Sequence, residues 1–210
     1  MVFDTRELTK VKKILENNFV WHVVYFVCCM ILTDFAPHPG IILLNMFVLE
    51  LFSYGLHVLS HVLSRVENPW ISWLDLHQRC HHGISSDRSL WLDLATEVLV
   101  PLFLTIVYVI VPVLYFGLSK WAPPVVVLLS VLTYTSYHFV NYTVLKQSTV
   151  HRDHHLRGHC NFGPDWLDHA FGTSCTGEVE NTNVVSVNLV IITAVLWLFL
   201  KLEKLSWCKS

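Results

Sequence analysis

Residues 41–63 read IILLNMFVLELFSYGLHVLSHVL, and the reading of this run decides the fold. It is apolar almost throughout, with Glu50 its one Asp, Glu, Lys or Arg. As a helix rising 1.5 Å per residue it is about 34 Å long, enough to cross roughly 30 Å of bilayer hydrocarbon. Near its C-terminal end stand His57 and His61. An i, i+4 pair lies on one helical face, which is how two imidazoles reach a common ion. The run therefore raises a membrane question and a metal question together.

Working outward, three more runs meet the length and hydropathy of a span, at 19–35, 98–118 and 123–145. The first two spans are joined by Ala36-Pro37-His38-Pro39-Gly40 and the second two by Trp121-Ala122-Pro123-Pro124, proline-rich turns that stop one helix and start another. The expected fold is all-α: a polytopic membrane helical bundle of four transmembrane helices in two hairpins, with a histidine-rich cytosolic cap. A fifth apolar run at 184–202 either spans or lies against the membrane. The expected division is a cytosolic segment at 1–18, a membrane-embedded catalytic domain at 19–175 and a C-terminal apolar segment and tail at 176–210. Composition agrees: 53% of residues are hydrophobic and 14% charged, against about 25% charged in soluble domains. A net charge of -2 offers no electrostatic footprint for nucleic acid.

Positive charges set an orientation. Arg6, Lys10, Lys12 and Lys13 precede the first span, Arg65, Arg79 and Arg88 lie in the middle segment, and Lys146, Arg152 and Arg157 follow the fourth. The two short turns carry only Lys120. The positive-inside rule puts the three charged segments in the cytosol. Lys201, Lys204 and Lys209 prefer the same side, which argues that the last apolar run does not cross. The N-terminal stretch lacks a cleavage-site pattern, so 19–35 reads as an uncleaved span. None of the six cysteines forms a CxxC pair, and Cys28 and Cys29 sit inside an apolar run. No disulfide framework is expected, and a reduced, cytosol-facing setting fits.

Histidine is abundant, with 13 in the chain. Besides His57 and His61, a second group comprises His77, His81 and His82, and a third His151, His154 and His155, while His138 stands alone near the end of the fourth span. His77 and His81 share a helical face, and His82 points about 100° away, toward a second ion. In the third group all three rings can converge if the stretch is helical. One complete hairpin separates the second group from the third, so two crossings return the chain to the same side. His22 and His38 read as interfacial or hydrogen-bonded residues. Nine imidazoles exceed what one ion can take, because a tetrahedral ion accepts four and a catalytic ion keeps a position open. The count implies two ions. Imidazole-rich sites suit zinc, copper, iron or nickel, so it does not choose the metal.

Asp153, Asn161, Asp168 and His169 are candidates for fixing the imidazole tautomers, with Asp93 and Glu97 behind them. Two other classes compete. A membrane zinc hydrolase needs a carboxylate base, yet no HExxH is present. A histidine-rich metal carrier or transporter places its ligands midway along the spans, whereas these gather at one end.

HxxxH at His57–His61, a box ending at His81-His82 and HxxHH at His151–His155 are followed by Asn161-Phe162-Gly163-Pro164 and Asp168-His169-Ala170-Phe171-Gly172-Thr173. Over residues 45–175 this order resembles the fatty acid hydroxylase/sterol desaturase superfamily of membrane di-iron oxygenases. The middle box, His77-Gln78-Arg79-Cys80-His81-His82, is one residue longer than the usual HxxHH, and Leu167 replaces the tryptophan expected before the aspartate. His138 is followed by Tyr142 where the fatty acid branch has a further histidine, a feature closer to the sterol-oxidising branch. The resemblance implies two iron ions, which zinc can replace in a purified sample, and dioxygen as co-substrate. It implies hydroxylation or desaturation of a sterol or fatty-acyl lipid at an endoplasmic reticulum membrane. Electrons come from a cytochrome b-type donor and its reductase in trans. No catalytic residue beyond the metal ligands is expected.

Overall fold

The computed structural model describes residues 5–63, 65, 66, 99 and 123–207. His77, His81, His82, Asp93 and Glu97 lie outside the described residues, as does the expected span at 98–118 apart from Leu99. Among the described residues the regular elements are all helical. In order they are α1 (Thr5–Asn17), α2 (Phe19–Leu32), α3 (Pro39–Leu63), α4 (Pro124–Ser136), a π-helical turn (Tyr137–Val144), α5 (Thr149–Arg157), α6 (Asp165–Phe171), a 3-10 turn (Thr182–Val185) and α7 (Ser186–Trp207).

Local chemistry sets the boundaries. Asp34 and Phe35 turn left-handed at φ 51° and 57°, and the Phe35 N–H closes back on the Met30 carbonyl at 2.9 Å. The chain then restarts at Pro39, whose missing N–H and fixed φ suit a first helical turn. Pro124 opens α4 in the same way. The four-residue stagger of α4 loosens at Tyr137 into the π-helical turn, which carries His138 and Asn141 inward.

Pro39–Leu63, Pro124–Val144 and Thr182–Lys204 are long and apolar enough to cross a membrane. Leu8–Asn17 and Phe19–Leu32, bent by 62°, add a fourth if the pair forms one span. The core joins Trp21, Tyr25, Cys28, Cys29, Met30 and Leu32 of α2 to Ile42 and Met46 of α3, Val126 and Leu129 of α4, and Leu189 of α7. Lipid tails are as apolar as leucine, so such helices are held by close packing and interhelical hydrogen bonds. Tyr25 bonds to Ser130, and Asn188 donates to Asn141 Oδ1 at 2.8 Å.

The last apolar run, for which both spanning and lying against the membrane were open, forms the continuous helix α7, packed along α2 and α4. At its start, Asn183 Oδ1 accepts from the Trp21 N–H at 3.0 Å; at its far end Lys204 Nζ lies 2.7 Å from Asp34. The run therefore parallels α2 from the histidine end to the α2–α3 turn. Asp34 supplies the local counter-charge that a count of lysines misses, and the two lysines beside it hold its carboxyl below the usual range.

Candidate metal centre

Helix α5 carries the HxxHH sequence, and its ends are locally specified. Ser148 Oγ accepts from the His151 N–H at 2.9 Å, satisfying one of the donors a helix start leaves open. Gly158, at φ 65°, closes the other end with its N–H on the His154 carbonyl at 2.7 Å. On the helix so defined His151 and His155 share a face, while His154 points roughly 100° round from His155.

That division sorts the histidines into two groups. His57, His61 and His154 form one, and His138, His151 and His155 the other; in each, the candidate ligand atoms lie within 4.8 Å of one another. In the first, ring centroids are 5.1 Å apart for His57–His61, 4.7 Å for His57–His154 and 4.9 Å for His61–His154. In the second they are 4.3 Å for His138–His151 and 4.4 Å for His151–His155. His154 lies 5.8 Å from His155, so the groups are neighbours. The convergence expected of His151, His154 and His155 does not occur: the stretch is helical, and helical geometry divides the three between groups. Either group fits a metal ion by its donor set of three imidazoles.

Backbone carbonyls fix two tautomers. His57 Nδ1–H donates to the Phe162 carbonyl at 2.6 Å, and His154 Nδ1–H to the Cys160 carbonyl at 2.7 Å. Each ring thus keeps its lone pair on Nε2, the form that binds a metal. The Phe162 ring lies 5.2 to 5.6 Å from all three rings of the first group and walls it from solvent. Around the second group, Tyr134 stacks on His138 at 5.1 Å and Tyr142 tilts over His151 at 4.7 Å.

The carbonyls belong to a loop that Asp168 holds. Its Oδ1 accepts from the Phe162 N–H at 2.9 Å and from Thr173 Oγ1 at 2.6 Å, and its Oδ2 from the Gly163 N–H at 2.6 Å. Burial pushes the Asp168 carboxyl up, and these three donors partly offset that. Asn161 joins the loop's two arms: its N–H donates to the Thr173 carbonyl at 2.9 Å, and its Oδ1 accepts from the Cys175 N–H at 2.9 Å. Cys160 and Cys175, Cα atoms 5.7 Å apart, are joined by a disulfide, where the cysteine pattern led to the expectation of no disulfide framework. The two cysteines are 15 positions apart and the chain between them folds back, which spacing in sequence does not show.

The other candidates divide. Asp168 and Asn161 act on the histidines through the loop rather than by touching a ring. Buried His169 faces Asp165 at 3.8 Å on α6. Asp153 turns outward to Arg157 at 3.8 Å instead of toward a histidine. Sequence reasoning missed the two carbonyls, which no residue type announces. It also missed Glu180, which bonds to Ser148 and Tyr142 and so ties the start of α5 to the π-helical turn. Burial raises the Glu180 carboxyl, with the Ser148 and Tyr142 hydroxyls opposing.

The family model described as fatty acid hydroxylase matches residues 42–173, a stretch that opens in α3 and closes at the Thr173 that Asp168 holds. No curated protein and no solved structure matches the chain. With well over half of its length covered, the chain belongs to the fatty acid hydroxylase family.

Proposed function

We propose that this chain is a membrane-bound dinuclear-iron lipid oxygenase that hydroxylates, or desaturates, a sterol or fatty-acyl lipid with dioxygen. The observation that carries the reading is the pairing of two three-histidine groups at one end of an apolar bundle, with His154 and His155 adjacent on α5. His57, His61 and His154 would hold one ion and His138, His151 and His155 the other, with His77, His81 and His82 as the further ligands that the sequence offers. Iron bound there supplies the redox chemistry that activates dioxygen toward an unactivated C–H bond.

The chain's own residues do the rest. The Cys160 and Phe162 carbonyls keep the protons of His154 and His57 on Nδ1, so both rings present Nε2 in one orientation. Phe162 keeps water from the first group, while Tyr134 and Tyr142 support rings of the second. Helices α3 and α4 offer apolar walls along which a lipid chain or ring reaches the histidine end without leaving a dry environment. Electrons come in trans from a cytochrome b-type donor and its reductase, at an endoplasmic reticulum membrane with the histidine end in the cytosol.

The test is expression in a sterol-producing cell that lacks related oxygenases, with comparison of total lipids by mass spectrometry. A lipid heavier by one oxygen atom, absent with His154→Ala/His155→Ala, is expected for a hydroxylase; one lighter by two hydrogens marks a desaturase. Unchanged lipids in cells holding folded, iron-loaded protein and a working electron donor overturn the reading and bring the metal-carrier function forward.

A further inference from the structure

A third cluster of metal-ligating atoms lies in the bracing loop, apart from the two histidine groups. A ring nitrogen of His159 and the sulfurs of Cys160 and Cys175 fall within 4.8 Å of one another. The disulfide is not the only tie between the two arms. Asn161 bridges the same two arms through its N–H on the Thr173 carbonyl and its Oδ1 on the Cys175 N–H, each at 2.9 Å. These hydrogen bonds do not depend on the S–S bond, so they can hold the two thiols near each other once it opens. His159 is prepared as well: its Nδ1–H donates to the Arg157 carbonyl at 2.8 Å, which puts the lone pair on Nε2. This is the carbonyl-locked tautomer found at His57 and His154. Cys160 is buried and His159 exposed, so the cluster has a protein side and a solvent side.

We propose that the chain with reduced thiols binds a thiophilic divalent cation, zinc by preference, through His159, Cys160 and Cys175, with a fourth position open to solvent. Ion and disulfide are then alternative closures of one loop. Two thiolates and an imidazole make the soft, tetrahedral donor set that zinc favours. Zinc–sulfur bonds of about 2.3 Å set the sulfurs about 3.8 Å apart, which side-chain rotation supplies at the present Cα separation of 5.7 Å. A dithiol reductant passes two electrons to the S–S bond, leaving two cysteine thiols and its own disulfide; zinc then displaces two protons. Hydrogen peroxide reverses this: two electrons leave the thiolates, the S–S bond forms, zinc departs, and the hydrogen peroxide takes up two protons to give two waters. Because the Cys160 carbonyl receives the His154 Nδ1–H at 2.7 Å, either closure also steadies the first histidine group.

The test uses the full chain in detergent, reduced anaerobically with a phosphine and loaded with cobalt(II). A thiolate-to-cobalt charge-transfer band in the near ultraviolet is expected, which an all-imidazole site cannot give. Cys160→Ser/Cys175→Ser should abolish that band and leave the ligand-field bands of histidine-bound cobalt. Added zinc should displace the band and protect Cys160 and Cys175 from alkylation, a measurement on the unmutated chain that does not depend on the variant folding. A reduced protein with no such band, a band that persists in the double variant, or thiols alkylated equally with and without zinc each overturn the proposal. None of these outcomes bears on lipid oxidation, so the site stands or falls separately from the oxygenase reading.

Discussion

The two histidine groups are built differently. The first joins α3 to α5 across a long stretch of chain, buries His61 and His154, and has two of its three rings locked by carbonyls of a braced loop. The second is assembled from His138 in the π-helical turn and two residues of the helix that follows, with His151 and His155 half-buried. Tyrosines flank it. The first group is tertiary structure made rigid, and the second is local structure made special by one wide turn. π-helical insertions recur at functional sites because they re-aim side chains that a regular helix would stagger differently.

The largest expected effect comes from the residue at the seam. His154→Ala removes a ring from the first group beside His155 of the second, and lipid product should fall below detection while the helical content of the purified chain persists. Next comes Asp168→Asn. The amide presents a donor where three donors already converge, leaving a buried N–H or hydroxyl unmatched at about 1–3 kcal/mol. Losing an orienting partner of metal-ligating histidines lowers affinity or activity by roughly 10–100-fold. This variant should lose iron from the first group and keep it in the second, as resolved by Mössbauer spectra of iron-57-loaded protein. Equal loss from both groups removes the distinction drawn between them.

Ser148→Ala sharpens the comparison from the other side. It removes the cap of α5 and the link to Glu180, and caps contribute about 0.5–2 kcal/mol. The expected result is a lower midpoint of thermal unfolding and faster chelation of the second group's ion, with the first group's ion released as slowly as before. The smallest effect is at the opposite end of the molecule. Asp34→Asn removes an exposed pairing with Lys201 and Lys204, and exposed ion pairs contribute little. Activity and iron content should be unchanged; a marked loss of either would mean that the far end of α7 is coupled to the metal centre.

What the sequence disclosed follows the reach of the interactions. The HxxxH face of α3 and the helix starts at Pro39 and Pro124 rest on neighbours within a turn or two of helix, and all were legible. The allotment of His154 to the first group and of His151 and His155 to the second was not, because it depends on which side of α5 meets α3. The Cys160–Cys175 bond and the Asp34 counter-charge pair residues distant in sequence, and a count of cysteines or lysines carries no information about such partners. The carbonyls that lock His57 and His154 were invisible for another reason: every residue has one, and only the fold selects Cys160 and Phe162.

The most direct test of two separate metal sites, one on each histidine group, is the iron content of the purified full chain, counted apart from zinc, in the wild type and in His57→Ala/His61→Ala. The account predicts about two irons per chain in the wild type and about one in the variant, the remaining iron keeping the spectrum of the second group. One iron or none in fully loaded wild-type protein, or the loss of all iron from a folded variant, would contradict it.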